Sequence, residues 1–151
     1  MVKSDPQTLL FKKSHPNAQL PMVQTLGAAG FDWHTPIAFT IKPGEILKVD
    51  IGLRVTFIPP GYEIMIRPRS GLAFKYGITI LNSPGNLDND YRGEVGVLLI
   101  NHGPNAVPFE VGDRIAQGVP TKMTPLRLGF STKEQETTTE RGDGGFGSTG
   151  V

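Results

Sequence analysis

An all-β fold, a jelly-roll-like barrel of short strands, is what this 151-residue chain predicts, and three observations carry the prediction. Its 19 glycines and 13 prolines are spread so evenly that hardly any window can hold a long helix. Runs rich in β-branched residues recur between them. Three Pro-Gly pairs punctuate the runs, in Lys42-Pro43-Gly44-Glu45, Pro59-Pro60-Gly61-Tyr62 and Ser83-Pro84-Gly85-Asn86. Proline presets φ and glycine accepts a positive φ, so each tetrapeptide suits a type II turn.

Read in order, the strands fall at Thr8 to Lys12, Phe39 to Ile41, Glu45 to Val55, Tyr62 to Arg67, Ile78 to Leu81, Val95 to Asn101, Val107 to Phe109 and Arg114 to Val119. One short helix fits, near Gly71 to Tyr76. Ser131 to Glu140 lacks a core-facing stripe and reads as a polar linker. The expected organisation is therefore a β-barrel core over 1–130, then a linker and glycine-rich arm over 131–151, long enough to reach another subunit.

A single domain of 16.3 kDa buries a core without staples, and the absence of cysteine removes zinc ribbons, thiol nucleophiles and disulfide frameworks together. Fifteen basic against 14 acidic residues leave no charge footprint for nucleic acid or an anionic membrane. Neither a signal-peptide core nor a membrane-spanning stretch is seen, so a soluble, non-secreted, cytoplasmic protein is expected.

Four segments concentrate polar chemistry. In LNSPGNLDNDYRGE, Asn82 precedes a tight turn at Gly85, and Asp88, Asp90, Tyr91 and Arg92 follow within a few residues. Asp88 suits a general base for water, although turn aspartates on a solvated hairpin give the same pattern. If the segment is a strand, Asp88 and Asp90 share a face and Tyr91 opposes them, unless a turn intervenes. In RPRSGLAFKYG, Arg69, Ser70 and Gly71 stand where the chain enters the helix, and a guanidinium, a hydroxyl and free N–H groups there suit an anion. A capped loop with a surface arginine is the alternative. GAAGFDW places Asp32 after small residues, able to orient a metal-bound water, and GDRIAQG offers Gln117 as a phosphate donor; either, taken singly, fits a surface position. The three histidines lack metal-ligand spacing.

The fifth segment is the end, ERGDGGFGSTGV. Arg141 can fork onto phosphate, Ser148, Thr149 and the backbone N–H groups around Gly147 can add donors, and Phe146 can cover a flat ring. That is a nucleotide clamp, or else a disordered glycine-rich terminus. A P-loop is excluded, because its lysine and following helix are missing.

Taken in order, AAGFDW, RPRSGLAFKYG, NSPGNLDNDYRGE, GDRIAQ and RGDGGFGSTG resemble the five motifs of the trimeric deoxyuridine triphosphatases, from about residue 27 to the last residue. The resemblance implies a jelly-roll homotrimer with three sites at subunit interfaces, each closed by the C-terminal arm of another subunit. It implies Mg²⁺-dependent hydrolysis of dUTP to dUMP and pyrophosphate, which limits uracil in DNA and supplies dUMP for dTMP synthesis. By position, Asp88 matches the residue that activates the attacking water and Tyr91 the ring under the deoxyribose. Asn82 and the Gly85 to Leu87 backbone match the uracil-reading hairpin. Arg69, Ser70, Gly71 and Gln117 match the phosphate cradle, and Asp32 matches the carboxylate that meets the magnesium hydration shell. Arg141, Phe146, Gly147, Ser148 and Thr149 match the arm.

Trp33, Asn86 and Gly118 depart from the pattern, standing where leucine, a threonine or small apolar residue, and a larger apolar residue are usual. None carries chemistry, so the departures bear on packing and fine kinetics. Three rivals are weighed against the resemblance. A dCTP deaminase shares the barrel but generally lacks the arm. A non-catalytic regulator would use the pocket to control a protein partner of unknown identity, and a jelly-roll lectin would leave the ordered motifs unexplained.

Overall fold

The computed structural model describes residues 7–144. Ten strands carry the fold: β1 Leu10–Lys13, β2 Phe31–His34, β3 Phe39–Ile41, β4 Ile46–Phe57, β5 Tyr62–Arg67, β6 Ile78–Ile80, β7 Gly85–Leu87, β8 Glu94–Asn101, β9 Val107–Phe109 and β10 Arg114–Lys122. A seven-residue helix, α1 (Ser70–Tyr76), links β5 to β6. The strands form two four-stranded antiparallel sheets, ordered β1-β4-β8-β6 and β2-β10-β5-β7, and a small β3-β9 pair.

Alternation along the strands builds the core. On β8 every second residue, Val95, Val97, Leu99 and Asn101, is buried, and Val49, Ile51, Leu53 and Val55 of β4 complete that inner face. Ile64 and Ile66 of β5, Trp33 of β2 and Ile115 of β10 come from the opposite sheet. The pairing of β4 with β8 shifts register between Asp50 and Arg54, around Gly52, whose φ of +73° favours glycine and where an added Cβ would lie 2.9 Å from Ala18 Cβ. The buried carboxamide of Asn101 is satisfied by donating to Ile41 O (3.1 Å) and Asn105 O (2.8 Å) and accepting from Gly103 N–H (2.8 Å).

Two of the three expected type II turns form: Gly44 (φ +74°) and Gly61 (φ +80°) sit at the third position, and Glu45 N–H and Tyr62 N–H close the turns. The third does not. The Ser83–Pro84 peptide is cis, and Gly85 lacks a positive φ and instead opens β7, paired with Ile66. A Cβ there would lie 3.0 Å from Asn82 Nδ2, a tight contact that the Asn82 side chain would have to relieve. β2 and β7 are strands not expected from the sequence, and a short 3-10 turn, Lys133–Gln135, interrupts the expected linker.

Trp33 and Gly118 explain each other. They lie on neighbouring strands, and a Cβ on Gly118 would collide with Phe31 and come 2.9 Å from Trp33 Cε2. The large indole fills the space that a side chain at 118 would occupy. It sits edge-on to Phe31 (centroids 4.9 Å) and Phe11 (5.7 Å), fully buried.

Candidate active site

The expected site residues gather in two places on either side of β5. On one edge of that strand, β7 pairs Ile64 with Leu87 and Ile66 with Gly85. A cavity of about 230 Å³ opens there, lined by Asn82, Gly85, Asn86, Leu87 and Tyr91 together with Lys48, Ile66, Glu94, Gly96 and Leu98. Its size and mixed polarity suit a pyrimidine nucleoside more than a whole nucleotide.

Tyr91 is set by its neighbours. Asp88 follows the last residue of β7, and a turn intervenes where an extended strand would have put Asp88 and Asp90 on one face: Tyr91 N–H donates to Asp88 O at 2.9 Å. The phenol donates to Glu94 O at 2.7 Å, and Gly93 has no side chain to obstruct the ring. Asp88 itself is exposed, and its carboxylate has no hydrogen-bond or ion-pair partner among the described residues.

On the other edge of β5, β10 pairs Gln117 with Arg67, and β2 pairs Asp32 with Gln117. Alternation puts Trp33 and Gly118 inward, so Asp32 and Gln117 belong to the outer face. Asp32 is nevertheless only 5% exposed, because two arginines cover it. Arg69 Nε lies 3.4 Å from Oδ1, and Arg114 Nη1 lies 3.2 Å from Oδ2. Arg69 also donates to Arg114 O at 2.8 Å, so the cation that opens α1 is tied to the strand bearing Gln117. Ser70 and Gly71 begin α1 ahead of its first internal bonds, which come from Leu72 and Ala73 N–H to Arg69 O.

His34, two residues beyond Asp32, feels the same charges. Burial holds its imidazole below the ordinary histidine range; Arg114 and Arg69 push the same way, and Asp32 opposes them. Its Nδ1 is buried without a partner among the described residues. At the mouth of the nucleoside cavity Lys48 is raised instead, by its 2.7 Å contact with Asp50.

Arg141 is exposed and bonds only locally, Nε to Gly144 O at 2.9 Å. Phe146, Gly147, Ser148 and Thr149 lie outside the described residues. Among the polar residues of the two clusters, sequence reading missed Arg114, His34, Lys48 and Glu94. For Arg114 a signal existed within GDRIAQ, yet its partner Asp32 lies 82 residues away and only the β2–β10 register joins them.

With Ile66 opposite Gly85 on one edge and Gly118 on the other, the clusters stand at one level of the sheet, one strand to either side of β5. They do not share a cavity. The cavity that holds Asn82 and Tyr91 includes neither Arg69 nor Gln117. One chain thus presents two half-sites.

The chain is similar to known proteins along nearly all of its length. A model of the dUTPase family matches residues 16–150. The deoxyuridine 5'-triphosphate nucleotidohydrolase of Helicobacter pylori (strain P12) is 49% identical over 93% of this chain and 94% of its own. That of Nautilia profundicola is 50% identical over 94% and 98%. Among solved structures, a mutant dUTPase of Staphylococcus bacteriophage 80alpha with dUpNHpp is similar at a TM-score of 0.85 and 26% identity, covering 95% of this chain and 99% of that one. The five ordered motifs and a family match across nearly all of the sequence converge: the chain belongs to the dUTPase family.

Proposed function

We propose that this protein hydrolyses dUTP to dUMP and pyrophosphate as a homotrimer, with Asp88 as the base for the attacking water. The observation that carries the reading is Asp88 itself, an exposed carboxylate without an internal partner, between the last strand residue of the nucleoside cavity and Tyr91. A carboxylate so placed is free to take a proton from water. Water oxygen attacks the α-phosphorus, the bond from that phosphorus to the bridging oxygen breaks, pyrophosphate leaves, and the water proton passes to Asp88.

The other residues bind and orient. Tyr91 supports the sugar, Asn82 and the Gly85 to Leu87 backbone read the base, and Arg69, Ser70, Gly71 and Gln117 hold phosphate oxygens. Arg141, Phe146, Gly147, Ser148 and Thr149 belong to an arm, over 131–151, that closes the site after a core over 1–130. Asp32 holds Arg69 in place. Among the described residues no three His, Asp or Glu side chains stand close enough to cage a metal, which fits an ion carried on substrate phosphates and kept hydrated. Asp32 would meet Mg²⁺ only through water, using the acceptor positions its two arginines leave free. When bound, Mg²⁺ neutralises charge on the phosphate oxygens.

Trimerisation has two supports. The two clusters of one chain do not share a cavity, so a site that uses both is completed by a second subunit. Beyond β10, Leu126, Leu128 and Phe130 are 77%, 95% and 106% exposed, and Phe74 of α1 is 93% exposed, large apolar side chains that a partner subunit would cover. Among the described residues no helix is long and apolar enough to cross a membrane.

The test is pyrophosphate release from each deoxynucleoside triphosphate with Mg²⁺, alongside light scattering. Release from dUTP alone by a three-chain particle is the expected result. Comparable release from dCTP or dTTP would replace this reading with a broader nucleotide pyrophosphatase, and an active monomer would remove the shared site.

A further inference from the structure

We propose that Asn89 is the positioning residue for Asp88: its carboxamide stitches the loop that carries the base to the turn between β4 and β5. The proposal rests on the reading of Asp88 given above. Residues 88–92 leave the β7 ladder and have not yet joined β8; the first bond to a neighbouring strand comes at Gly93, whose O accepts from Val55 N–H of β4 at 2.9 Å. Asn89 supplies what the ladder does not. Its Nδ2 donates to Pro59 O at 2.7 Å and Tyr62 O at 2.8 Å, with Ile58 O at 3.4 Å. An amide has two such hydrogens, so the two short contacts take one each and the third is secondary.

The acceptors are fixed before Asn89 arrives. Tyr62 N–H donates to Pro59 O at 3.1 Å to close the Pro-Pro-Gly turn, and Tyr62 opens β5, the strand that also pairs with β7. The loop is closed on its other side as well. Arg92 Nη1 donates to Asn89 O at 2.8 Å and to Tyr91 O at 2.7 Å, while Tyr91 N–H donates to Asp88 O. Backbone freedom is thereby removed on both sides of Asp88, and its carboxylate is left unengaged.

Only an amide satisfies this arrangement. Asn89→Asp would set a carboxylate against carbonyl oxygens, and Asn89→Ala would remove the side-chain donor to Tyr62 O and leave Pro59 O only the turn bond from Tyr62 N–H. Asn82, Gly85 and Leu87 do not depend on Asn89, since the β5–β7 ladder and the segment before it place them. The consequence of losing the stitch therefore falls on the position of Asp88 more than on nucleoside binding. Displacement of a reacting group by about 1 Å lowers rates by as much as 10²-fold.

The experiment compares the full-length parent with Asn89→Ala and Asn89→Asp in three measurements: single-turnover hydrolysis of dUTP, dissociation constant for dUpNHpp, and thermal melting. Expected are analogue affinities within about fivefold of the parent, melting above the assay temperature, and single-turnover rates lowered by roughly 10- to 100-fold, with Asn89→Asp no faster than Asn89→Ala. Should Asn89→Ala fail to fold, the isosteric Asn89→Asp carries the same comparison. Rates within twofold of the parent would overturn the proposal, as would analogue binding that falls as far as the rate. A parent that binds dUpNHpp yet leaves dUTP intact would overturn the reading of Asp88 and this proposal with it, an outcome distinct from active variants beside an active parent.

Discussion

Replacing Gly118 by leucine should destabilise the protein, and replacing Trp33 by leucine in the same chain should restore about half of what is lost. A Cβ at 118 meets Phe31 and lies 2.9 Å from Trp33 Cε2, in a pocket where Trp33 is 0% exposed, so nothing can move outward. Overpacking of that kind costs about 1–3 kcal/mol, and the tightness here argues for roughly 2 or more. Trp33→Leu alone removes about half of the side-chain volume that a Trp→Ala change would remove, a loss of about 2 kcal/mol. It also removes the buried indole N–H, which has no partner among the described residues and whose desolvation costs about 1 kcal/mol. The net single-mutant cost is therefore about 1 kcal/mol, and the two singles sum to about 3. In the double mutant one leucine fills the space the indole vacates, so the cost should be about 1 kcal/mol, a coupling of about 2. Urea unfolding followed by circular dichroism measures this, at one fixed protein concentration because assembly contributes to stability. Additivity within about 0.5 kcal/mol would refute compensation and leave Trp33 and Gly118 as independent departures.

Asp88→Asn should lower single-turnover hydrolysis of dUTP by about 10³-fold or more while dUpNHpp affinity stays within about threefold, and turnover like the parent's would remove Asp88 from the mechanism. Deleting the chain after Glu140 should leave the melting temperature nearly unchanged and abolish most activity, since Arg141 bonds only to Gly144 among the described residues; full activity would deny the arm a role. Stability should decline on acidification in part through His34. Its folded pKa lies below 6.5, so its contribution is complete above that pH and is lost as pH falls toward the folded value, where the unfolded chain binds a proton that the folded one does not. His34→Gln should flatten the difference between melts at about pH 7.5 and pH 5, and an unchanged difference would assign the acid sensitivity elsewhere.

How far the sequence could be read depended on distance along the chain. β5, β8 and β9 announce themselves by apolar runs between turn residues, and the Pro-Gly turns at Gly44 and Gly61 follow from local geometry alone. β2 was hidden because four residues, Phe31–His34, follow a run of glycine and alanine and show too little alternation to stand out. β7 was hidden for the opposite reason: Ser83-Pro84-Gly85-Asn86 carries a strong turn signal, while Gly85 pairs with Ile66 in the β5–β7 ladder. In the site, the acidic and phosphate-facing residues were legible by type and order. Arg114 and Asn89 were not, because their roles lie in partners 82 and 27–31 residues away that only the fold brings close.

Under the proposed function each chain carries a nucleoside half and a phosphate half on either side of β5, and that division has a genetic consequence. Two inactive alleles, one crippled at Tyr91 and the other at Arg69, would not be equivalent when expressed together. Each contributes the half the other lacks, and in a randomly mixed trimer whose sites join halves of adjacent subunits about one site in four is intact. Alleles damaged in the same half could never complement. A heterozygous population would thereby reveal, without any structure, which residues share a half and which meet only across the subunit boundary.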